Sequence, residues 1–197
     1  MNQTNDIIIR KALVNRLKEE YIADPDYRVI SELGLWHGAS RIDVAVVNGV
    51  LHGFEIKSDR DTLARLPEQR GVYNSVFDKV TLVVGCTHFV DAFKMVPDWW
   101  GIETAHTSED GAIFFNTIRE AKNNPAQDNV SIARLLWKRE ALDLLESVGK
   151  ADGVRSKSRE IIYERVAESI ELESLKQYVR NVLQSSREGW RSDAQLV

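Results

Sequence analysis

The chain has 197 residues, with 26 lysines and arginines against 30 aspartates and glutamates, a formal net charge of −4 and a pI near 5.6. At roughly 150 residues per domain, that is one substantial domain or a domain with an appendage, long enough to bury a core without disulfides or a structural metal. One cysteine, Cys86, excludes an intrachain disulfide framework and a cysteine-based zinc site, and the acidic balance supplies no global positive field for phosphates.

Residues 1–6 carry no basic leader, Ile7-Ile8-Ile9 is too short for a signal core, and no apolar run approaches the roughly 18 residues that span a bilayer. The expectation is a soluble, cytoplasmic protein with no membrane partner. Residues 6–21 read as a helix, with Ile7, Ala12, Leu13 and Leu17 on one side and Arg10, Lys11, Arg16, Lys18 and Glu19 on the other. Ala23-Asp24-Pro25-Asp26 breaks it. Residues 28–35 are extended or mixed, and 36–40 form a loop. From 41 to 57 the strand signal is strong: IDVAVV, then Asn48-Gly49, then VLHGFEIK, which is a hairpin pattern.

Residues 59–77 read as an interrupted helix that Ser58 or Asp59 can cap. A strand follows at 79–84, a short helix at 88–96 ending at Pro97, and two strands at 101–106 and 112–115 around a Ser-Glu-Asp-Gly turn. The order is αβββαβ, then a helix and a hairpin. After Asn123-Asn124-Pro125 the composition turns helical, with helices expected at 130–148, 159–169 and 171–185 around a Gly/Ser/basic joint at 149–158. This divides the chain into an α/β core with a mixed sheet, residues 1–122, and an all-α extension, 123–197.

Chemistry concentrates in the hairpin. Asp43 and Glu55 are two carboxylates on neighbouring strands, and Lys57 shares a strand face with Glu55 because it lies two residues on. Carboxylates suit Mg²⁺, which keeps water and phosphate in its shell, activates that water and offsets charge on phosphoryl oxygens. Lys57 adds a point charge beside it, and the Ile56 carbonyl is a further potential ligand.

Strand parity sets a condition. A two-residue turn at Asn48-Gly49 pairs Asp43 with Phe54 and puts the two carboxylates on opposite faces. An odd-length turn or a bulge at Gly49 brings them together, and gathers Ile42, Val44, Val46, Val50, Phe54 and Ile56 on the apolar face.

Gln69 and Tyr73, four apart on one helix face, can position phosphate or water, although a tyrosine at that spacing is equally a core edge. Glu32 is either a third metal carboxylate or a solvated glutamate. Arg41 and Ser58, flanking the hairpin motifs, are candidate substrate contacts. The histidines show no ligand spacing, and His52 is expected as a satisfied buried histidine. Cys86 is expected as a small apolar filler, and Trp99-Trp100 as packing against the sheet, with base stacking the alternative. Arg155, Lys157 and Arg159 form either a phosphate contact or a solvated linker.

Asp43, the EIK of Glu55 to Lys57 on an αβββαβ frame, and the QxxxY of Gln69 to Tyr73 resemble the PD-(D/E)XK nucleases, in the RecB-like QxxxY branch; Ile42 stands where the motif's proline would be. The whole chain further resembles a largely uncharacterised bacterial and phage-linked family of predicted PD-(D/E)XK nucleases, through RIDVAVVNGVLHGFEIKSDRDTLARLPEQ, VYNSVFDKVTLVV, VPDWWGI and GVRSKSR…YERVAES. The resemblance implies a Mg²⁺-dependent nuclease, with Mn²⁺ able to substitute. Asp43, Glu55, Lys57 and Gln69 are its catalytic set, and Asp43, Glu55, Ile56 and Glu32 its metal set. The implied substrate is nucleic acid, DNA first. The alternatives are an inactive nuclease-fold module that binds nucleic acid or a protein, and an RNA-cleaving effector. The C-terminal helices are the expected surface for a homodimer or a protein partner.

Overall fold

Among the described residues, six strands form one sheet in the order in which they occur along the chain: β1 (Arg28–Leu35), β2 (Ser40–Val47), β3 (Leu51–Lys57), β4 (Lys79–Gly85), β5 (Gly101–Thr107) and β6 (Ile113–Arg119). The computed structural model describes residues 4–185. The first three residues of the polar N-terminus and residues 186–197 of the expected extension lie outside the described residues. β1, β2 and β3 are antiparallel, β3, β4 and β5 parallel, and β5 and β6 an antiparallel hairpin. The parallel pairs need crossovers, which α2 (Leu66–Val76) and α3 (Phe89–Met95) supply. With α1 (Asp6–Glu20) in front of β1, this is the expected α/β class with a mixed sheet and C-terminal helices.

α1 covers one face. Asn5 caps it by accepting from the Ile8 N–H at 3.2 Å. Its buried stripe is Ile9, Leu13 and Leu17, four apart, over Val44, Val46, Phe54 and Ile56. Ile7, expected in that stripe, is exposed, because the four-residue repeat from Ile9 points it outward. The other face carries α2 and, in the same apolar cluster, α4 (Asn129–Ala133), α5 (Lys138–Ser147), α6 (Arg159–Ser169) and α7 (Leu172–Gln184). Buried Asp78 ties α7 to the sheet, accepting from the Leu51 N–H at 2.7 Å and pairing with Lys176 at 2.6 Å.

Local chemistry moved several boundaries. Helix does not begin near residue 59 but at Leu66, because the Ser58 N–H and hydroxyl both bond Asp61 and hold a turn there. The helix expected over 130–148 is two. Asp128 caps α4 through the Ser131 N–H, and the Trp137 N–H donates to Glu140 at 2.7 Å to start α5. Cys86 is exposed rather than a core filler, since it lies past the end of β4. Trp100 is fully buried, stacks on Tyr73 at 6.1 Å and donates to Asn74, which is the packing role expected of it. His52 is half-buried and satisfied, with Nε2 2.9 Å from the Thr81 hydroxyl. Burial, then Lys79, pushes its pKa down to about 3. Arg155 is taken up by ion pairs with Glu146 and Asp152.

Gly85 closes β4 against Asp59, whose carboxylate accepts from the N–H and hydroxyl groups of Thr4 and Thr87. A Cβ on Gly85 falls 2.4 Å from Asp59 Oδ1 and 2.6 Å from its backbone nitrogen. Gly85→Ala should therefore cost about 2 kcal/mol, a fall of about 4–8 °C in Tm. Thermal melts followed by circular dichroism check this.

Candidate active site

The expected odd-length turn is present. Val47 pairs with Leu51 and Val44 with Phe54, so the connection is the three residues Asn48, Gly49 and Val50. Gly49 takes φ +88°, and the Asn48 N–H closes the loop on the Val50 carbonyl at 3.2 Å. Continuing that register by one residue sets Asp43 opposite Glu55, and both line the same cavity of about 600 Å³.

The alternation is not clean, however. Ile42 packs in the α2-side cluster while Val44 and Val46 pack under α1, so Ile42 does not join the apolar face expected for it. The break coincides with Glu32, which stands across from Asp43 on β1. Glu32 has φ +53°, a left-handed backbone costly for a side chain with a Cβ, and the ladder skips it. Strand parity therefore slips at Asp43 itself.

Glu55 sits deepest. It is 2% exposed, and its Oε1 accepts from Lys57 Nζ at 2.5 Å and Gln69 Nε2 at 2.7 Å. The Tyr73 hydroxyl lies 2.7 Å from both Glu55 Oε2 and the Arg41 carbonyl oxygen. Burial first, then Glu55, raises the Tyr73 pKa far above the phenol range, so the ring is a neutral donor that fixes the carboxylate. Tyr73→Phe leaves both acceptors without that proton and should cost about 1–3 kcal/mol, read as a lower urea midpoint.

Asp43 is held from two sides. Its Oδ2 accepts from the Ile56 N–H at 2.7 Å, and its Oδ1 from Arg10 at 3.0 Å. Arg10, on α1, also donates to Glu32 and Asp6 at 2.7 Å. Burial, and next the Glu55 charge, push the Asp43 pKa up to about 7, despite the Ile56 N–H and Arg10. Burial opposes the Arg10 charge, but Asp43, Asp6 and Glu32 outweigh it and raise its pKa.

Asp43, Glu55, the Ile56 segment, Lys57, Gln69 and Arg41 thus border one cavity. Glu32 is not among the residues that border it; its carboxylate lies against Arg10 and Arg41, at 2.7 and 3.4 Å. Ser58 is 1% exposed with its hydroxyl committed to Asp61, so it shapes the turn instead of meeting substrate. Arg41 is half-exposed on the rim. Arg10 and Trp36 also border the cavity and were not expected there; the four-residue spacing from Asp6 to Arg10 is the one local hint.

Among the described residues, no three His, Cys, Asp or Glu side chains converge as a ready metal cage. Two carboxylates and a carbonyl oxygen nevertheless fit a hard cation that keeps most of its waters. Buried Gln69 Oε1 has no hydrogen-bond partner, which leaves an acceptor for a water of such an ion.

Compared with known proteins, the chain matches the family described as "Bacteriophage P4 protein cII" over residues 1–193. It is 32% identical over 124 residues to "Protein cII" of Enterobacteria phage P4. That match covers 63% of this chain and 47% of the relative, so the chain spans about half the length of that protein. Among solved structures, it is similar to the SPO1766 protein of unknown function from Silicibacter pomeroyi, at 19% identity and a TM-score of 0.43, over 77% of this chain and 94% of the other.

Proposed function

The chain belongs to the Bacteriophage P4 protein cII family, and we propose that it is a metal-dependent nuclease hydrolysing phosphodiester bonds, with DNA as its substrate. The observation that carries this reading is the three-residue turn that sets Asp43 opposite Glu55 with Lys57 Nζ 2.5 Å from the Glu55 carboxylate. Asp43, Glu55 and the Ile56 carbonyl would hold Mg²⁺ or Mn²⁺. Bound there, the ion supplies Lewis-acid polarisation of water and of the phosphoryl oxygens.

The remaining work falls to side chains of this chain. Lys57 presents a fixed cation where negative charge grows on the phosphoryl group. Gln69 holds Glu55 with its amide N–H and offers the unpartnered Oε1 as an acceptor to orient a water. Tyr73 keeps its proton and locks Glu55 Oε2. The Ile56 N–H and Arg10 set the direction of the Asp43 carboxylate. Arg41, half-exposed at the rim, can meet a flanking phosphate.

One observation favours a second reading, an inactive module on the same frame. Lys57 and Arg10 already pair with both carboxylates, which a purely structural polar cluster would also do. Calorimetric titration with Mn²⁺ separates the two: the nuclease reading expects saturable binding in the wild type that disappears in Asp43→Asn, and the inactive module expects no binding.

A net charge of −4 keeps phosphate contacts local, so DNA binding should be weak and steeply salt-dependent. A partner or second copy at the C-terminal helices, where Val148 and Ile161 are exposed, would then help deliver substrate. No helix among the described residues is long and apolar enough to cross a membrane.

A further inference from the structure

The segment between β1 and β2 carries three successive residues in the left-handed region: Trp36 at φ +48°, His37 at +57° and Gly38 at +88°. For a tryptophan this conformation is costly, and it persists only where the surroundings impose it. Here the C-terminal helices impose it. The Arg134 guanidinium lies 5.3 Å from the centre of the Trp36 ring, and Arg134 is itself fixed by Glu160 at 2.6 Å. His37 stacks on Tyr163 at 5.6 Å, and its Nε2 is 3.4 Å from the same Glu160. Three side chains, Arg134 at the end of α4 and Glu160 and Tyr163 on α6, thus hold a strained turn in place.

What they hold there is an indole that borders the cavity of Asp43, Glu55 and Lys57 and is 41% exposed. A large ring in a left-handed backbone, backed by a cation and fixed beside a charged cleft, is poorly explained as packing, since glycine or asparagine would take that backbone at lower cost. It is well explained as a surface for another π-system, because every nucleobase has an aromatic face and stacking is tolerant of sequence.

We infer that Trp36 is a stacking platform for an unpaired nucleobase next to the scissile phosphate, positioned by Arg134, Glu160 and Tyr163, and that the site takes single-stranded DNA in preference to continuous duplex. This deepens the nuclease reading and rests on it for the identity of the cavity. A base inside a duplex is already stacked on both sides and has no face to offer until it is unstacked. The platform also gives the C-terminal helices a task at the site that packing alone does not require.

The test reads binding without cleavage, so it does not depend on the fate of the nuclease reading. Fluorescence anisotropy of a labelled oligothymidylate and of a labelled blunt duplex is measured in EDTA for the wild type, Trp36→Phe, Trp36→Leu and Trp36→Gly. Glycine suits the left-handed backbone, which protects the fold of that variant. The wild type should bind the single strand. Trp36→Leu and Trp36→Gly should lose about tenfold or more in single-strand affinity with duplex binding unchanged, and Trp36→Phe should retain most of it. Equal losses on both probes, no loss in Trp36→Leu, or no single-strand binding by the wild type would each overturn the platform. If the platform holds while the wild type cuts nothing with Mg²⁺, only the nuclease reading fails.

Discussion

Asp43→Asn is expected to stabilise the metal-free protein at pH 8 while removing its affinity for Mn²⁺. Burial and the facing Glu55 raise the Asp43 pKa from 3.8 to about 7. A raised carboxyl pKa means that the folded chain holds this proton more tightly than the unfolded chain does. Above pH 7 the charged carboxylate therefore counts against folding. That penalty fades as the pH falls below 7 and is gone below 3.8, where both states are protonated. With the side chain 20% open to solvent, the penalty is on the order of 2–4 kcal/mol. Asparagine removes it, can still accept from the Ile56 N–H, and leaves Arg10 with Asp6 and Glu32. The gain in Tm should be about 5–15 °C at pH 8 and should shrink toward pH 4. Melts of both proteins at several pH values test it, and a loss of stability at pH 8 would contradict it.

Lys57 carries the second large effect. It is 5% exposed and pairs with a glutamate that is 2% exposed. Removing the ammonium should lower the rate of cleavage about 10²–10³-fold, the size found when a single charge-stabilising donor is deleted. Removing one partner of a buried pair also costs about 3–5 kcal/mol, a cost that Gln69 and Tyr73 offset in part because they still donate to Glu55. Lys57→Ala combines the two losses with lost packing. Lys57→Met keeps the stem buried and is the cleaner variant. It should melt as one cooperative unit, a few degrees below the wild type, and should cut at the reduced rate.

The central strands were legible because their physics is local. The run VTLVV of β4 is apolar but for Thr81, the near-continuous pattern of a strand covered on both faces, and Asn48-Gly49 between such runs marks a reversal. The odd-length turn was legible at one remove, since only that parity lets Asp43 and Glu55 meet. Long-range contacts set what was missed. Nothing near Glu32 indicates that it takes φ +53°, and the groups it meets, Arg10 on α1 and Asp43 across on β2, are remote in sequence. Ser58 reads as a helix cap or a substrate contact in the sequence and is bound to Asp61, three residues on, in a turn that precedes the helix. Trp36 reads as a loop tryptophan until Arg134, almost a hundred residues later, is seen behind it. The candidate site's pattern is thus written in short segments, and the residues that support it are contributed by distant ones.

The most direct measurement is cleavage of single-stranded, duplex and branched DNA and of RNA by the wild type and by Lys57→Met, each with Mg²⁺ or Mn²⁺ and again with EDTA. The predicted result is metal-dependent cutting of DNA by the wild type, single strands first, that EDTA abolishes and Lys57→Met reduces about 10²–10³-fold. A wild type that cuts none of these substrates, or a Lys57→Met protein that cuts as fast as the wild type, would contradict the assignment of Asp43, Glu55 and Lys57 as a nuclease site.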